Sequence, residues 1–392
     1  MSQIGKQEIN ELILILKKSL KKNKGKIPLH EPTLNVNEKK YLNDCIKKNH
    51  LSSVGNYSNK FIKELKKITK SKYIILTNSG SSALHLALKS SGVKENEEVL
   101  MPSLNYIASA NSALYCRSSP HFIEVSEKTL GVDPYKLEKY LKKICIIKSN
   151  FSINRKTKKR IRALICLHTF GHSCEIDKIK KICNKYKIFL IEDAAEAIGS
   201  FFKKQHLGTF GNIGILSFNG NKTITSASGG AIITNNKKIA ELVLHLSQNA
   251  KFPHSYLYDY DQEGYNYKPS NITSAIGFAQ IKEIKKIIHR KREIFNKYKN
   301  VFTNLSFLKL FKEPKNSKSN YWLQTLLLNK ANLSTRNQIL IKTNKIGIGT
   351  RPIWKPLHKL NFLSKFQKTN LEVTNNLEKR IINIPSSSHL KI

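Results

Sequence analysis

Three short segments of the sequence carry polar residues whose types and spacing could serve one reaction. In the first, NSGSSALHLAL at 78–88, Gly80 permits a tight turn, and Ser81 and Ser82 supply hydroxyls where a helix is predicted to begin. The backbone N–H groups at such a helix start can bind a phosphate. The same turn is also typical of a simple helix cap, with Ser81 or Ser82 as the capping residue. By itself the segment is therefore only a candidate anion site.

The second segment, FLIEDAAEAIGS at 189–200, ends a predicted buried strand with a carboxylate. In open α/β proteins, ligands bind at the carboxyl ends of the strands, which is where Asp193 stands. An ionised Asp193 could pair there with a protonated ring nitrogen of a ligand. The alternative is structural, with Glu192 or Asp193 capping a helix that follows.

The third segment, SFNGNKTITSASGGAIIT at 217–234, places a lysine on a turn between two predicted strands. Ser217 ends the first strand, Asn219 lies in the turn, and Lys222 follows it. A lone lysine in a chain this basic is ordinarily a solvated surface charge. Held near Ser217, Asn219 and the carboxylate strand, however, Lys222 could react as a nucleophile with an aldehyde.

The order of these segments along the chain indicates one cofactor. Pyridoxal phosphate needs a phosphate cradle, a flat face for its ring, a carboxylate that keeps its pyridine nitrogen protonated, and a lysine that binds its aldehyde. The sequence offers the turn at 78–82, Tyr106 at a predicted helix start, Asp193, and Ser217 followed by Lys222. We therefore expect a pyridoxal phosphate site.

The elements that must position these residues follow a regular pattern. Residues 60–235 alternate short apolar runs with helix-like stretches, which is typical of βαβ units and predicts an α/β fold. The predicted strands are 73–77, 98–101, 121–125, 163–167, 188–192, 213–218 and 231–234, and the predicted helices include 82–90, 106–116 and 176–185. The basic segment 147–162 is predicted to be a surface loop. Residues 272–297 are predicted to form one long amphipathic helix.

The charge of the chain suggests, on its own, a polyanionic partner. With 68 Lys and Arg against 27 Asp and Glu among 392 residues, the formal net charge is +41. The lysines are scattered over the whole chain and form no block or stripe, so we expect no nucleic acid partner. No apolar run approaches the ~20 residues that cross a bilayer, and we expect no membrane span.

The cysteines and the N-terminus bear on where the protein resides. Six cysteines lie among apolar neighbours without CxxC pairs or zinc-finger spacing, which predicts reduced thiols, a cytoplasmic protein and no metal site. Residues 1–26 are predicted to form a helical extension, because Ile9, Leu12, Ile13 and Leu16 share one face. We expect this helix to pack on the body or on a partner subunit, with a membrane-surface helix as the alternative.

Several stretches of the chain resemble the fold-type I, pyridoxal-phosphate-dependent nucleotide-sugar aminotransferases of the DegT/StrS family. The most specific are RALICLHTFGH, IEDAAEAIGSF, GTFGNIGILSFNGNKTIT and GYNYKPSNITSAIG, and the resemblance runs from about Ile27 to the C-terminus. It implies a large cofactor-binding domain at 27–250 with a central mixed, mostly parallel sheet. It also implies a smaller C-terminal α/β domain at 251–392.

The same resemblance implies an activity. The chain is most similar to the branch that aminates the 4-keto group of a UDP-linked 2-acetamido-2,6-dideoxy hexose on the way to bacillosamine or legionaminic acid, with glutamate as the amino donor. Another nucleotide ketosugar, such as GDP-4-keto-6-deoxymannose, is the alternative acceptor. A non-catalytic, regulatory relative is the alternative role.

Carried over residue by residue, the resemblance implies roles around the cofactor. Lys222 would carry the cofactor as a Schiff base and move the proton, and Asp193 would pair with the pyridine nitrogen. Glu196 would approach the ring hydroxyl, and Tyr106 would stack on the ring. The remaining implied contacts are Gly80, Ser81, Ser82, Ser217, Asn219 and, from the neighbouring subunit of a homodimer, Asn266.

The candidate substrate contacts lie in two further segments. His168, with His172 as a second histidine, stands in LHTFGH, and Arg351, Trp354 and His358 stand in RPIWKPLH. These side chains are plausible lining for a nucleotide-sugar pocket. The alternatives are a histidine that satisfies local hydrogen bonds at a strand end, a structural arginine and a partly buried aromatic.

Overall fold

The computed structural model describes residues 5–392. Its helices are α1 (Lys6–Leu20), α2 (Val36–Lys47), α3 (Tyr57–Thr69), α4 (Gly80–Ser90), α5 (Ala108–Tyr115), α6 (Pro134–Ile144), α7 (Ile176–Lys185), α8 (Lys237–Leu246), α9 (Asn271–Lys282), α10 (Ile284–Val301), α11 (Leu333–Lys345) and α12 (Glu372–Glu378). Its strands are β1 (Tyr73–Thr77), β2 (Glu98–Pro102), β3 (Ser119–Ile123), β4 (Cys145–Lys148), β5 (Phe151–Asn154), β6 (Arg160–Leu167), β7 (Phe189–Asp193), β8 (Phe201–Phe202), β9 (Gln205–His206), β10 (Ile213–Ser217), β11 (Gly230–Thr234), β12 (Leu308–Leu310), β13 (Ser317–Lys318), β14 (Gln324–Leu328), β15 (Arg351–Pro352) and β16 (Ile381–Ile384).

The central sheet is mixed and mostly parallel, as predicted. Its strand order is β1-β11-β10-β7-β6-β2-β3, with β5 hydrogen-bonded to β6 and β4 to β5. Strands β10, β7, β6, β2 and β3 pair in parallel, whereas β11 runs antiparallel to both β10 and β1. All seven strands predicted between residues 73 and 234 occur in this sheet.

The strands read as continuous apolar runs because helices cover both faces of the sheet. In β1, Ile75 belongs to the apolar cluster on one face, and Ile74 and Leu76 belong to the cluster on the other. Helices α4, α5 and α8 contribute to the first cluster, and α3, α6 and α7 contribute to the second. The sheet is therefore buried on both faces, and the ends of its strands form the edge that is open to a ligand.

The segment 147–162, predicted to be a surface loop, is instead part of the sheet. Strands β4 and β5 form an antiparallel hairpin, and β5 pairs with the start of β6. The buried Glu98 carboxylate anchors the hairpin by accepting hydrogen bonds from Asn154 Nδ2 at 3.0 Å and Thr157 Oγ1 at 2.5 Å. The loop prediction is wrong because the buried side chains of β5, Ser152 and Asn154, are polar and leave no apolar alternation.

The long helix predicted over 272–297 is divided into α9 and α10 at Glu283. Ile281 and Ile284 on either side of the break pack in the core of the central sheet. Farther along α10, Tyr298 packs in a different core. The single-helix prediction is wrong because apolar residues continue at helical spacing across the break and hide it.

That second core belongs to a four-stranded antiparallel sheet with the order β12-β14-β16-β15. The apolar face of α1 is buried there, in one cluster with Leu326 of β14: Ile9, Leu12, Leu16 and Leu20. The prediction that this helix packs on the body is confirmed. The first four residues of the predicted extension 1–26 lie outside the described residues, and the division into domains at 27–250 and 251–392 stays a prediction.

A third, small sheet connects the C-terminal part of the chain to the loop that follows β7. Its order is β13-β8-β9, and Ser317 and Lys318 of β13 pair with Phe202 and Phe201 of β8. Residues 319–322 follow β13 directly. This pairing therefore delivers them to the carboxyl edge of the central sheet.

Two expectations about the chain as a whole can be compared with the fold. No helix within residues 5–392 combines the length and the apolar character needed to cross a membrane. All six cysteines lie in this part of the chain, and each is buried and free of a disulfide, as predicted.

Candidate active site

A cavity of about 310 Å³ opens at the carboxyl edge of the central sheet. The sheet register assembles its walls, because Gly230 at the start of β11 pairs with both Ser217 at the end of β10 and Thr77 at the end of β1. On the neighbouring strand β7, the terminal Asp193 pairs with Ile215. The three segments singled out from the sequence thus meet at one edge.

Most of the predicted cofactor contacts line this cavity. They are Gly80, Ser81, Tyr106, Asp193, Glu196, Ser217, Asn219 and Lys222. One predicted substrate contact, Trp354, lines it as well. Residues more than 140 positions apart in the sequence are therefore brought within reach of one ligand.

The start of α4 forms a corner suited to an anion. The N–H groups of Gly80 and Ser81 have no acceptor among residues 5–392, and the first N–H groups of a helix attract negative charge. Gly80 lies so close to Ser217 that an added Cβ would be 2.9 Å from the Ser217 Cβ. The hydroxyls of Ser81 and Ser217 therefore flank the same corner.

Ser79, and neither Ser81 nor Ser82, caps α4. Its Oγ accepts a hydrogen bond from the Ser82 N–H at 3.0 Å, because the helix begins at Gly80, two residues before the predicted start. The Ser82 hydroxyl donates to Asn78 Oδ1 at 2.6 Å and does not line the cavity. Ser82 thus braces the turn, and its phosphate contact stays a prediction.

Asp193 presents a buried carboxylate to the cavity. Its side chain is almost fully buried, and Oδ1 accepts a hydrogen bond from the Ala195 N–H at 3.1 Å. Burial raises the pKa of Asp193, although the Ala195 N–H and the Lys222 charge oppose the shift. A buried carboxylate with few partners is stabilised by a cation in the cavity. The N–H of a protonated pyridine ring has the charge and the donor that fit.

Lys222 stands on the predicted turn, where its N–H donates to the Asn219 carbonyl at 3.0 Å. The Lys222 Nζ lies 3.4 Å from Glu196 Oε1 and 4.1 Å from the centre of the Trp322 ring. Glu196 Oε2 accepts a further hydrogen bond from the Phe170 N–H at 2.7 Å. Burial raises the pKa of Glu196 to about 7, against the opposing effect of the Lys222 charge. The amine is held between this carboxyl group and an aromatic face.

Tyr106 supplies the exposed wall of the cavity. Helix α5 begins at Ala108, so Tyr106 lies two residues before the helix whose start it was predicted to mark. Its side chain is 56% exposed. The ring is therefore available to cover a flat ligand, although its stacking role stays a prediction.

A second cavity of about 510 Å³ adjoins the first. Asn221, Trp322 and Trp354 line both cavities. Arg351 lines the second one, and its guanidinium group donates a hydrogen bond to Asn344 Oδ1 at 2.9 Å. The pair of cavities suits a long ligand whose reacting end lies in the first.

His168 reaches neither cavity. Its ring is fully buried, and Nε2 shares a hydrogen bond of 2.9 Å with Glu192. Burial alone would lower the pKa of His168, but the neighbouring Cys174 and Glu192 raise it to about 10. Glu192 also accepts hydrogen bonds from three backbone N–H groups at 208–211. The structure thus corrects the predicted substrate contact, because His168 satisfies buried polar groups beneath the site.

Three further candidates also lie outside the cavity walls. His172 is buried between aromatic rings. His358 Nδ1 shares a hydrogen bond of 2.7 Å with Ser103 Oγ, which ties it to the end of β2. Asn266 lies on an exposed loop, where its carbonyl accepts a hydrogen bond from Asn78 Nδ2 at 3.3 Å. Within one subunit, Asn266 therefore contributes nothing to the cavity.

Trp322 is a site residue that the sequence motifs do not reveal. It lies at the junction of the two cavities, and its indole N–H donates to the Asn221 carbonyl at 2.7 Å. It stands in SKSNYWLQ, a segment without a motif, about a hundred residues beyond Lys222. The only signal for it is that it is one of two tryptophans in the chain.

Comparison with known proteins adds a family and several relatives. The model of the DegT/DnrJ/EryC1/StrS aminotransferase family matches residues 32–392. A GDP-perosamine synthase of Escherichia coli O157:H7 is 36% identical over 363 residues, which cover 92% of this chain and 93% of that protein. A UDP-4-amino-4,6-dideoxy-N-acetyl-beta-L-altrosamine transaminase of Campylobacter jejuni is 29% identical over 82% of each chain. The solved structure of a Helicobacter pylori aminotransferase involved in pseudaminic acid biosynthesis has a TM-score of 0.84 at 22% identity, covers 93% of this chain and 94% of its own, and shares the fold.

Proposed function

Because the chain belongs to the DegT/DnrJ/EryC1/StrS aminotransferase family, we propose that it transfers an amino group from glutamate to the 4-keto carbon of a nucleotide-linked 6-deoxy hexose. The protein is a sugar aminotransferase that uses pyridoxal phosphate. The observation that carries the proposed transamination site is the meeting of Lys222, Asp193 and the start of α4 in one cavity.

The proposed cofactor contacts follow from the chemistry of the cavity wall. The first N–H groups of α4 and the hydroxyls of Ser81 and Ser217 bind the phosphate. The Asp193 carboxylate accepts the pyridine N–H and keeps that nitrogen protonated, and Tyr106 covers the ring. When bound, pyridoxal phosphate supplies an electron sink that stabilises negative charge on the carbon from which a proton is removed.

Lys222 performs the proton transfers in this proposal. Its Nζ binds the aldehyde in the resting enzyme and, once released by the amino donor, removes the proton from the α-carbon of glutamate. In the second half of the reaction the same Nζ delivers a proton to C4 of the sugar. Glu196 Oε1, 3.4 Å from Nζ, holds the amine at the cavity between these steps.

The nucleotide of the acceptor is proposed from the relatives. Identity is higher to the E. coli protein, whose name contains GDP, than to the Campylobacter protein, whose name contains UDP. This favours a GDP-linked 4-keto-6-deoxy hexose as the acceptor. A UDP-linked 2-acetamido-2,6-dideoxy-4-keto hexose, the acceptor that the family resemblance implies, is the second candidate. In either case the cavity with Arg351 and Trp354 holds the nucleotide end.

A homodimer completes the site in this proposal. Asn266 is exposed and lies outside the cavity of its own subunit. The exposed Tyr106 marks the open side of that cavity. We propose that the Asn266 side chain of one subunit reaches the phosphate bound by the other. Light scattering of the purified protein tests this assembly, and a monomer at micromolar concentration would contradict it.

Covalent trapping tests the catalytic part of the proposal. The purified protein is incubated with pyridoxal phosphate, reduced with borohydride and digested for peptide mass mapping. We expect the cofactor mass on the peptide that contains Lys222. Lys222→Arg serves as the control, because it keeps the charge but cannot retain the label. Label on another lysine would contradict the assignment. A protein that stays colourless would contradict it too and would favour a regulatory relative.

A panel of acceptors tests the substrate. The protein is supplied with glutamate and, separately, with GDP-4-keto-6-deoxymannose and the UDP-linked 4-keto sugar, and products are read by mass spectrometry. We expect conversion of the GDP-linked ketone to the amine. Faster conversion of the UDP-linked ketone would make the second candidate correct. Conversion of neither, with Lys222 trapped normally, would overturn the acceptor class while leaving the transaminase intact.

A further inference from the structure

A three-residue segment from the C-terminal part of the chain contacts both neighbours of Lys222. We propose that residues 320–322 clamp the Lys222 turn from two sides, and that Asn320 and Trp322 are positioning residues for transamination. The proposal rests on the proposed role of Lys222. The clamp keeps the Lys222 amine in place while the bond between this amine and the cofactor forms and breaks.

The first side of the clamp is Trp322. Its indole N–H donates to the carbonyl of Asn221, the residue before Lys222, at 2.7 Å. The ring of the same side chain lies 4.1 Å from the Lys222 Nζ, a distance at which an aromatic face attracts an ammonium group. One side chain therefore holds both the backbone before Lys222 and the end of the Lys222 side chain.

The second side is Asn320. Its Nδ2 approaches the hydroxyl of Thr223, the residue after Lys222, at 3.2 Å. The same Nδ2 lies 2.9 Å from the Glu196 carbonyl, and Glu196 is the carboxyl group beside the Lys222 amine. Asn320 Oδ1 accepts a hydrogen bond from the backbone N–H of Trp322 at 2.9 Å. This bond connects the two sides of the clamp.

The clamp is anchored independently of Lys222. Asn320 is fully buried, and its N–H donates to Ser200 Oγ at 2.9 Å. Gly171 has a φ of +89°, and a Cβ added to it would lie 1.9 Å from Asn320 Oδ1. The Asn320 amide therefore fits only because residue 171 has no side chain. The pairing of β13 with β8 fixes the chain just before the segment. Its position is therefore set by packing, before any ligand binds.

Lys222 needs such a device in addition to its contact with Glu196. It stands on a turn, and its four-carbon side chain has many conformations. A displacement of about 1 Å at a reacting group can cost on the order of a hundredfold in rate. Loss of one neutral hydrogen bond weakens a contact roughly tenfold. Removal of either side of the clamp should therefore slow proton transfer without preventing glutamate from binding.

Two conservative variants test the clamp separately. Trp322→Phe keeps an aromatic face over the Lys222 amine and removes the indole N–H that donates a hydrogen bond to the Asn221 carbonyl. Thr223→Val keeps the side-chain shape and removes the hydroxyl that lies 3.2 Å from Asn320 Nδ2. Absorbance of the holoenzyme follows its single-turnover reaction with glutamate. We expect Trp322→Phe to lower the limiting rate roughly tenfold and Thr223→Val roughly threefold, because Asn320 Nδ2 keeps its shorter contacts with the Glu196 and Ile198 carbonyls. The double variant should be slower than either single variant, with an unchanged half-saturating glutamate concentration.

A spectroscopic readout and a control distinguish positioning from general stability. In both variants we expect the pH midpoint of the cofactor absorbance to move by about half a unit. Tyr298→Phe removes the buried hydrogen bond from Tyr298 Oη to the Pro385 carbonyl, 3.0 Å long, in the core of the four-stranded sheet and away from Lys222. It should lower thermal stability without changing the rate or the pH midpoint.

The outcomes separate this proposal from the one it rests on. Normal trapping at Lys222, with a rate within twofold of wild type and an unmoved pH midpoint in both variants, would overturn the clamp alone. Equal effects of Tyr298→Phe and Trp322→Phe on the rate would overturn it too, because the loss of rate would then follow from lower overall stability. A wild-type protein that is not trapped at Lys222 would overturn the proposed function instead.

Discussion

The two cavities that meet at Trp322 and Trp354 are built in different ways. The first takes its polar groups from the ends of neighbouring strands and from the turns that follow them, and Asp193 and Glu196 are almost fully buried there. The second is lined by short segments from distant parts of the chain, including an exposed Arg351. The first is built on strand ends of the central sheet, and the second lies beside the edge strand β15 of the four-stranded sheet and the loops around it.

This difference divides the chemistry from the recognition. Groups held by strand register cannot move without disturbing the central sheet, so they suit the steps that every substrate of the enzyme undergoes. Exposed residues on an edge strand or a loop, such as Arg351, can change without disturbing the core, so they suit the choice of nucleotide. We therefore expect variants of the first cavity to impair the glutamate half-reaction, and variants of residues that line only the second cavity to impair only the ketosugar half-reaction.

The largest effect is expected for Lys222→Ala. Without the amine there is neither a group to bind the aldehyde nor a base to move the proton, and turnover should fall by at least about a thousandfold. Measurement of both half-reactions by absorbance checks this. Lys180→Ala, which removes an exposed lysine of α7, should be indistinguishable from wild type. Substantial activity of Lys222→Ala with glutamate would place the catalytic base elsewhere.

Asp193→Asn is expected to slow the glutamate half-reaction by about a hundredfold, because the neutral amide no longer favours a protonated pyridine. Burial raises the pKa of Asp193, which means that its charge is a cost to the cofactor-free protein. The cofactor-free variant should therefore be no less stable than wild type in urea unfolding. A variant that loses stability and keeps its rate would show that Asp193 has a structural role only. Asp259→Asn, at an exposed site, is the control.

Glu196 should make the cofactor-free protein pH-sensitive. Burial raises the pKa of Glu196 from its ordinary value to about 7. Between these values the folded state binds more protons than the unfolded state, so stability falls as pH rises from about 4.5 through about 7. Relative to Glu196→Gln, wild type should lose on the order of 3 kcal/mol between pH 5 and pH 8. Urea unfolding at both pH values checks this, and parallel profiles of the two proteins would refute it.

The difference between the cavities also explains what the sequence could reveal. Gly80, Asp193 and Lys222 each follow or precede a predicted strand, and the strand pattern alone brings them to one edge. Ser82 and His168 occupy similar positions, but their side chains are already bonded within the protein, to Asn78 and Glu192. Those bonds depend on neighbours that no local pattern specifies.

Trp322 shows the opposite limit. Its place over Lys222 depends on the pairing of β13 with β8 and on the Asn320 amide, which are contacts between segments more than 100 residues apart. No periodicity or turn signal encodes such a contact. The hairpin at 147–162 has no apolar signature for a related reason, since Asn154 and Thr157 donate hydrogen bonds to the Glu98 carboxylate and do not pack on an apolar face.

The smallest effect is expected for Arg351→Ala, and it is the sharpest test of the division between the cavities. The Arg351 guanidinium already donates to Asn344 Oδ1 and to the Thr350 carbonyl, each at 2.9 Å, so it is held ready for an anionic group at little further cost in entropy. Its loss should raise KM for the nucleotide ketosugar roughly tenfold and leave kcat nearly unchanged. The glutamate half-reaction should not change at all, because glutamate carries no nucleotide to fill the second cavity. Arg351→Lys should recover part of the affinity if the substrate requires only a positive charge at position 351. It should recover none if the planar guanidinium is required. Equal slowing of both half-reactions by Arg351→Ala would mean that the two cavities act as one site.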